Sequence, residues 1–184
     1  KLKKELETID GVSDIEIIDL KLGKSIKDIS HKNVILATPA WDHYSQTLEL
    51  LEKDKNLYVE KPLALTAEEC MSIKDKIKPD QILMVGHIFL YNDRLKKVKE
   101  LTSKVGNIQH IESNRLNWGR FQKRISTVHS LAPHDVSIIH YLLGYHEFKY
   151  VINIGEKFTK LPQNDRDEFS FECNGVSVKF NLSW

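Results

Sequence analysis

Between residues 33 and 85, three short apolar runs alternate with two stretches of helical periodicity. The first run, Asn33-Val34-Ile35-Leu36-Ala37-Thr38, stops at Pro39, and the others span Asn56 to Val59 and Ile82 to Val85. Runs this short suit strands buried on both faces of a parallel sheet. Between them, Tyr44, Leu48 and Leu51 fall at i, i+4 and i+7, one face of a helix. Ala67, Cys70, Ile73 and Ile77 repeat the spacing behind Thr66, an N-cap residue followed by Glu68 and Glu69. Strand and helix in alternation imply right-handed βαβ units. Upstream, Lys1 to Thr8 reads as a short helix, Asp14 to Asp19 as a strand and Lys24 to Ile29 as a weak helix.

The second half changes character. Leu95, Val98, Leu101 and Val105 mark an amphipathic helix closed by Gly106, and Val136, Ile139 and Leu143 mark another closed by Gly144. Three strand candidates follow. In the last two, Phe169, Phe171 and Cys173, then Val176, Val178, Phe180 and Leu182, alternate with polar residues around Asn174-Gly175, a strong hairpin signal. A two-residue turn sets Cys173 opposite Val176, Phe171 opposite Val178 and Phe169 opposite Phe180. All apolar side chains then share one face, which helices must cover, while the other face is wet or meets another subunit. The change from parallel α/β to α+β falls near residues 62–66.

Composition bounds the function. The 184 residues carry 27 basic and 26 acidic side chains, a formal charge of +1. That argues against a whole-domain electrostatic footprint for nucleic acid or an anionic membrane, so neither is expected as a partner. No apolar run approaches the roughly 18 residues of a membrane span. The N-terminus lacks an apolar signal core, and the only methionines are Met71 and Met84, so the chain reads as a piece of a longer frame. Cys70 and Cys173 form no CxxC pair and read as buried thiols in a reducing cytoplasm. The eight histidines show no HxxxH or HExxH spacing, so no metal site is expected. GxSxG and GxxxxGK[ST] are both missing, which disfavours an α/β-hydrolase or a P-loop.

Four clusters could carry chemistry. Ala37-Thr38-Pro39-Ala40-Trp41-Asp42-His43 ends a strand in small and polar residues, where open α/β sheets bind ligands. The plain alternative is a βα turn capped by Asp42. Tyr58-Val59-Glu60-Lys61-Pro62 places a rigidly held lysine at the same edge, able to hydrogen-bond a substrate hydroxyl. The alternative is a surface ion pair. Pro133-His134-Asp135 opens a helix with a side chain suited to proton transfer, although such a histidine is more often structural. Arg115, Asn117 and Gly119 alternate along a strand toward Arg120, and two arginines can grip a carboxylate or phosphate unless the face is merely solvated.

Together these landmarks resemble the Gfo/Idh/MocA family, the glucose–fructose oxidoreductase and inositol dehydrogenase relatives, over about residues 26–184. They come in the family's order: Val34 to Pro39 with His43, Val59-Glu60-Lys61-Pro62-Leu63-Ala64, Met84-Val85-Gly86-His87, the helix ending in Val105-Gly106-Asn107-Ile108, and His134-Asp135. Asn114 to Arg120 followed by Ser130 to Asp135 looks most like the subgroup that oxidises UDP-N-acetylglucosaminuronic acid at C3 for surface polysaccharide synthesis. The resemblance implies an α/β fold. Residues 1–64 would be the C-terminal part of a dinucleotide-binding Rossmann domain. Residues 65–184 would begin an α+β substrate and oligomerisation domain with a mainly antiparallel sheet.

It also implies an NAD- or NADP-dependent dehydrogenase acting on a sugar or sugar-nucleotide hydroxyl, in a cytoplasmic homodimer or homotetramer. His134 would be the general base, and Lys61 would bind the reacting hydroxyl. Thr38, Pro39, His43, Glu60 and Lys61 would line the cofactor, and Tyr91, Arg115, Asn117 and Arg120 the substrate. Many relatives carry Asp four residues before the histidine; here Ser130 stands there, which weakens a Lys-Asp-His triad. The alternatives are a non-catalytic or regulatory member of the fold, or a reductase of another small substrate. The eight glycines nowhere form GxGxxG, so this chain is expected to start after the pyrophosphate loop and to end inside the sheet.

Overall fold

The computed structural model describes residues 2–117 and 121–184, which cluster into two compact units, 1–32 and 33–184. In the first unit, helix α1 (Leu2–Leu6) is followed by 3-10 turns at Leu20–Leu22 and Ile26–Asp28. Asp19 caps the first turn through the Lys21 N–H at 2.9 Å, and Ser25 with Asp28 forms a capping box on the second. The strand expected over 14–19 is not formed. A strand needs a ladder partner, the described residues of this unit offer none, and Ile17 stays 59% exposed.

The second unit begins with strands β1 (Asn33–Leu36), β2 (Asn56–Val59) and β3 (Leu83–Val85), side by side in that order and all parallel. Helix α2 (Ala40–Glu52) joins β1 to β2, and α3 (Ala67–Lys76) joins β2 to β3. The register aligns Leu36, Val59 and Val85 in one row. Leu57 and Val59 of the central strand are buried, whereas Ile35 on the edge strand is partly exposed, so β1 is not covered on both faces. The α3 cap follows the sequence: Thr66 accepts from the Glu69 N–H at 3.1 Å, and Glu69 returns a bond to the Thr66 N–H. In α2 the fully buried stripe is His43, Thr47, Leu50 and Leu51, while Tyr44 and Leu48 are only half-buried. The stripe is rotated from the apolar one because His43 can be buried, its ring having backbone partners described below.

Helix α4 (Asp93–Val105) leads to β4 (His110–Leu116), α5 (Thr127–Leu143) and strands β5 (Phe148–Glu156), β6 (Arg166–Cys173) and β7 (Val176–Ser183). The sheet order is β4-β7-β6-β5, with β4 parallel to β7 and the other pairs antiparallel. The hairpin register is the one expected, Cys173 with Val176, Phe171 with Val178 and Phe169 with Phe180. Asn174 and Gly175 both have positive φ, 52° and 74°, as a tight primed turn requires. Helix α5 covers the apolar face, and Leu131, Ala132 and Ile139 pack on Phe171, Cys173, Val178, Phe180 and Leu182. Cys173 is buried as expected, but Cys70 is only half-buried.

One expectation fails in an informative way. His134 and Asp135 do not open α5. Ser126 caps it, its side chain accepting from the His129 N–H, so the two residues lie in the helix interior just after Pro133. Asp135 therefore has no role at a helix N-terminus; it meets a cation from the sheet instead.

Candidate active site

The row Leu36, Val59, Val85 makes the residues that follow each strand emerge at one carboxyl edge. Two backbone bonds extend the ladder there: the Glu60 N–H donates to Leu36 O (2.9 Å), and the Gly86 N–H to Val59 O (2.8 Å). Thr38-Pro39, Glu60-Lys61-Pro62 and Gly86-His87 thus line one rim, and the Lys61–Pro62 peptide is cis. A Cβ on Gly86 would come within 2.9 Å of Tyr58 Oη and 3.3 Å of Glu60 Oε2, so a side chain there would push these two groups aside.

His43 holds two parts of the rim together. Its Nδ1 lies 2.7 Å from Pro62 O and its Nε2 2.8 Å from Thr38 O, and the side chain is 1% exposed. Both partners are carbonyls, which only accept; a neutral imidazole donates to one of them, and a doubly protonated ring donates to both. The ring is spent on the backbone, so His43 shapes the rim from beneath rather than facing a ligand. Thr38 is similarly engaged, its hydroxyl donating to Gln46 Oε1 at 2.5 Å.

Helix α5 closes on this rim. Lys61 Nζ donates to Ser130 O at 2.5 Å, and His129 places Nε2 2.9 Å from Leu65 O with Nδ1 2.8 Å from Ser126 Oγ. His134 lies one helical turn beyond Ser130, its ring edge-on to Phe89 with centroids 5.0 Å apart. Arg115, from the inner face of β4, forms a fork on Asp135: Nε to Oδ2 at 2.8 Å and Nη2 to Oδ1 at 2.9 Å. Ser113, two residues earlier on the same face, donates to Asp135 Oδ1 at 2.7 Å, and the guanidinium also lies 4.9 Å over the Phe89 ring.

This packing governs protonation. Burial is the main force that lowers the Lys61 ammonium below its ordinary range; Glu60 opposes the shift and Arg115 adds to it. His134 is pushed down to about 4, first by burial, then by the charges of Lys61 and Arg115, with Asp135 pulling the other way and His87 adding a small push. His87 is lowered by burial and by Lys61. At neutral pH both imidazoles are therefore unprotonated. The Nδ1 atoms of His87 and His134 are buried with no hydrogen-bond partner among the described residues.

Of the residues singled out in the sequence, Thr38, Pro39, His43, Glu60 and Lys61 share the rim, and His134 is brought to it by α5. Tyr91 ends the 3-10 turn Ile88–Tyr91 and is exposed; the Tyr58 phenol is pushed up first by burial, then by Glu60, with Tyr91 adding to the shift. Asn117 lies just past β4, its N–H donating to Ser183 O at 2.8 Å. Arg115 is committed to Asp135, and Arg120 lies outside the described residues. Sequence reasoning passed over Phe89, Ser113 and the use of His87. For His87 a signal existed: it follows Val85 by two residues as Lys61 follows Val59, and those two valines are paired.

Comparison with known proteins bears on the fold and the sequence. Residues 15–87 match the GFO_IDH_MocA model, described as an oxidoreductase family with an NAD-binding Rossmann fold. A scyllo-inositol 2-dehydrogenase (NADP(+)) of Bacillus subtilis is 26% identical over 113 residues, 61% of this chain and 31% of that protein. A 2,7-anhydro-N-acetylneuraminate hydratase of Escherichia coli is 28% identical over 96 residues, 50% of this chain and 26% of that protein. Among solved structures, an inositol dehydrogenase homolog from Azotobacter vinelandii, complexed with NADH and myo-inositol, superposes with a TM-score of 0.74 at 17% identity. The match covers 83% of this chain and 44% of that one. The chain thus spans between a quarter and a half of the length of these proteins. Residues 15–87 thus match the model of the Gfo/Idh/MocA oxidoreductase family, and the chain shares the Rossmann-type fold of the superposed structure.

Proposed function

We propose that this rim is the reacting side of an NAD(P)-dependent dehydrogenase site for a hydroxyl of a polyol, sugar or sugar nucleotide. The observation that carries the reading is the meeting of Lys61 and His134, delivered by a strand end and a helix and linked through Ser130 O one turn before the histidine. The nicotinamide end of the cofactor fits this edge. Thr38, Pro39 and Glu60 follow the carboxyl ends of parallel strands, where open α/β sheets bind ligands. The two buried, unpartnered imidazole nitrogens are polar capacity that a bound ligand can use. When bound, the nicotinamide supplies hydride acceptance or donation.

The chain's own residues handle the proton. Lys61 donates a hydrogen bond to the substrate oxygen and steadies negative charge on it. His134, unprotonated at neutral pH, accepts the hydroxyl proton during oxidation and returns it during reduction. Tyr91, Asn117 and Arg120 are the proposed substrate contacts, while Arg115 serves through Asp135. An acidic sugar nucleotide of surface polysaccharide synthesis, the finer form of this reading, then relies on Arg120 rather than Arg115 for its negative charge. A cytoplasmic homodimer or homotetramer is the assembly proposed, supported by exposed Leu116, Ile152 and Ile154 on the outer sheet face. No described helix is long and apolar enough to cross a membrane.

Lys61→Ala and His134→Ala are each expected to abolish NAD(P)-linked turnover while circular dichroism stays native; near-normal hydride transfer in both overturns the reading. A second reading, a member without dehydrogenase chemistry, is favoured by Ser130 at the usual aspartate position and by the relative named as a hydratase. Titration with NADH, followed by nicotinamide fluorescence, separates the two: the dehydrogenase reading expects saturable binding, and silence at millimolar cofactor favours the second.

A further inference from the structure

Arg115 is a natural choice for a substrate anion, yet its Nε–Nη2 edge is already taken. Asp135, only 2% exposed, takes Nε and Nη2, Ser113 adds a third bond to the same carboxylate, and the guanidinium face rests on Phe89. Arg115, Asp135 and Phe89 also bear on His134. Asp135 is its neighbour on α5, and Phe89 stands edge-on against its ring. A bidentate fork fixes orientation as well as distance, and a half-removed buried pair leaves an uncompensated charge.

We propose that Arg115 is a positioning residue for His134: its fork on Asp135 sets the turn of α5 that presents the imidazole to Phe89, and its charge offsets that of Asp135 beside the ring. The proposal rests on His134 as the proton acceptor, but its two readouts below need no turnover. The charged and titratable groups bearing on His134 are Lys61 from the end of β2, His87 after β3, Arg115 from β4 and Asp135 on α5 itself. Arg115 and Asp135 push in opposite directions. Removing the arginine takes away a cation that disfavours imidazolium and exposes an anion that favours it. Removing the aspartate does the reverse.

The test is histidine-ring NMR across pH, with the ring-current shift of His134 from Phe89 read in the same spectra. Arg115→Met is expected to raise the His134 midpoint by about one pH unit or more. Asp135→Asn is expected to lower it, so that the ring stays unprotonated as far down as the protein remains folded. Arg115→Lys, which keeps the charge without the fork, is expected to hold the midpoint low while the Phe89 ring-current shift collapses. Should Arg115→Met fail to fold, the double variant Arg115→Met/Asp135→Asn removes both charges together and is expected to titrate within about half a unit of the parent. Midpoints that stay put or move together in the two single variants overturn the proposal, as does a double variant displaced by a full unit. If the midpoints move as expected but Lys61→Ala and His134→Ala retain turnover, the failure belongs to the dehydrogenase reading instead.

Discussion

The two sheets of residues 33–184 present chemistry in different ways. The parallel sheet works through its strand ends: Thr38, Glu60, Lys61, Gly86 and His87 all lie just past the last paired row, held by backbone bonds and by His43 beneath. The mixed sheet works through a face. Its apolar side seats α5, and only at Ser113 and Arg115 does that side turn polar to grip the helix. An edge can gather groups from several loops with little packing behind each, whereas a face delivers a residue only through what is packed on it. On the proposed function, the edge is where substitution removes chemistry, and the face is where it removes stability.

The sharpest way to break that contrast is Lys61→Met. It is expected to cost about 10²–10³ in kcat/KM, the usual worth of a lost donor to a developing oxyanion, with the melting temperature nearly unchanged. A large loss of stability would blur the distinction. Leu182→Ala is the converse. Leu182 is fully buried under α5, and its truncation is expected to cost about 2–5 kcal/mol in denaturant unfolding, with kcat of the folded fraction retained.

Acidification probes the seam between edge and face. His134 is held near 4 when folded and titrates near 6.5 when unfolded, so the unfolded chain binds the extra proton first. Stability is expected to be full above about pH 6.5 and to fall between there and about 4. His87, also depressed, adds to the same slope. His134→Gln is expected to flatten the slope in urea titrations at several pH values; an unchanged slope would place the acid sensitivity elsewhere. The smallest effect belongs to Thr66→Ala, which removes one cap bond behind the edge and is expected to cost about 1 kcal/mol, read from the urea midpoint.

What was legible in the sequence follows the same division. Strand ends are local, so Thr38-Pro39 and Glu60-Lys61-Pro62 could be assigned to one edge from spacing and βα alternation alone. The hairpin was equally local, because Asn174-Gly175 dictates register. Helix α5 was misread at its start because Pro133 looks like a breaker, and the apolar periodicity is clear only from Val136 onward. The earlier signal, Ser126 as a cap, is easy to overlook without it. The stretch 14–19 has the pattern of a strand without a neighbour to pair with. The Arg115–Asp135 fork spans 20 residues and joins a strand to a helix, so neither residue alone announces the other. The buried stripe of α2 was displaced for a similar reason, since His43 is buried by virtue of two carbonyls that only the folded chain supplies.

Pro133 has a consequence for the lysine. A proline within a helix has no N–H to offer the preceding turn and crowds the carbonyl four residues back, that of His129. Next to this loosened stretch, Ser130 O takes the bond from Lys61 Nζ. A carboxylate in that place would titrate, and its grip on the ammonium would weaken as it took up a proton. An amide oxygen gains no proton over the working range, so the acceptor for Lys61 is equally good in weak acid and weak base. The acid response of the site is thereby left to the imidazoles, and Lys61 keeps its aim while they change charge.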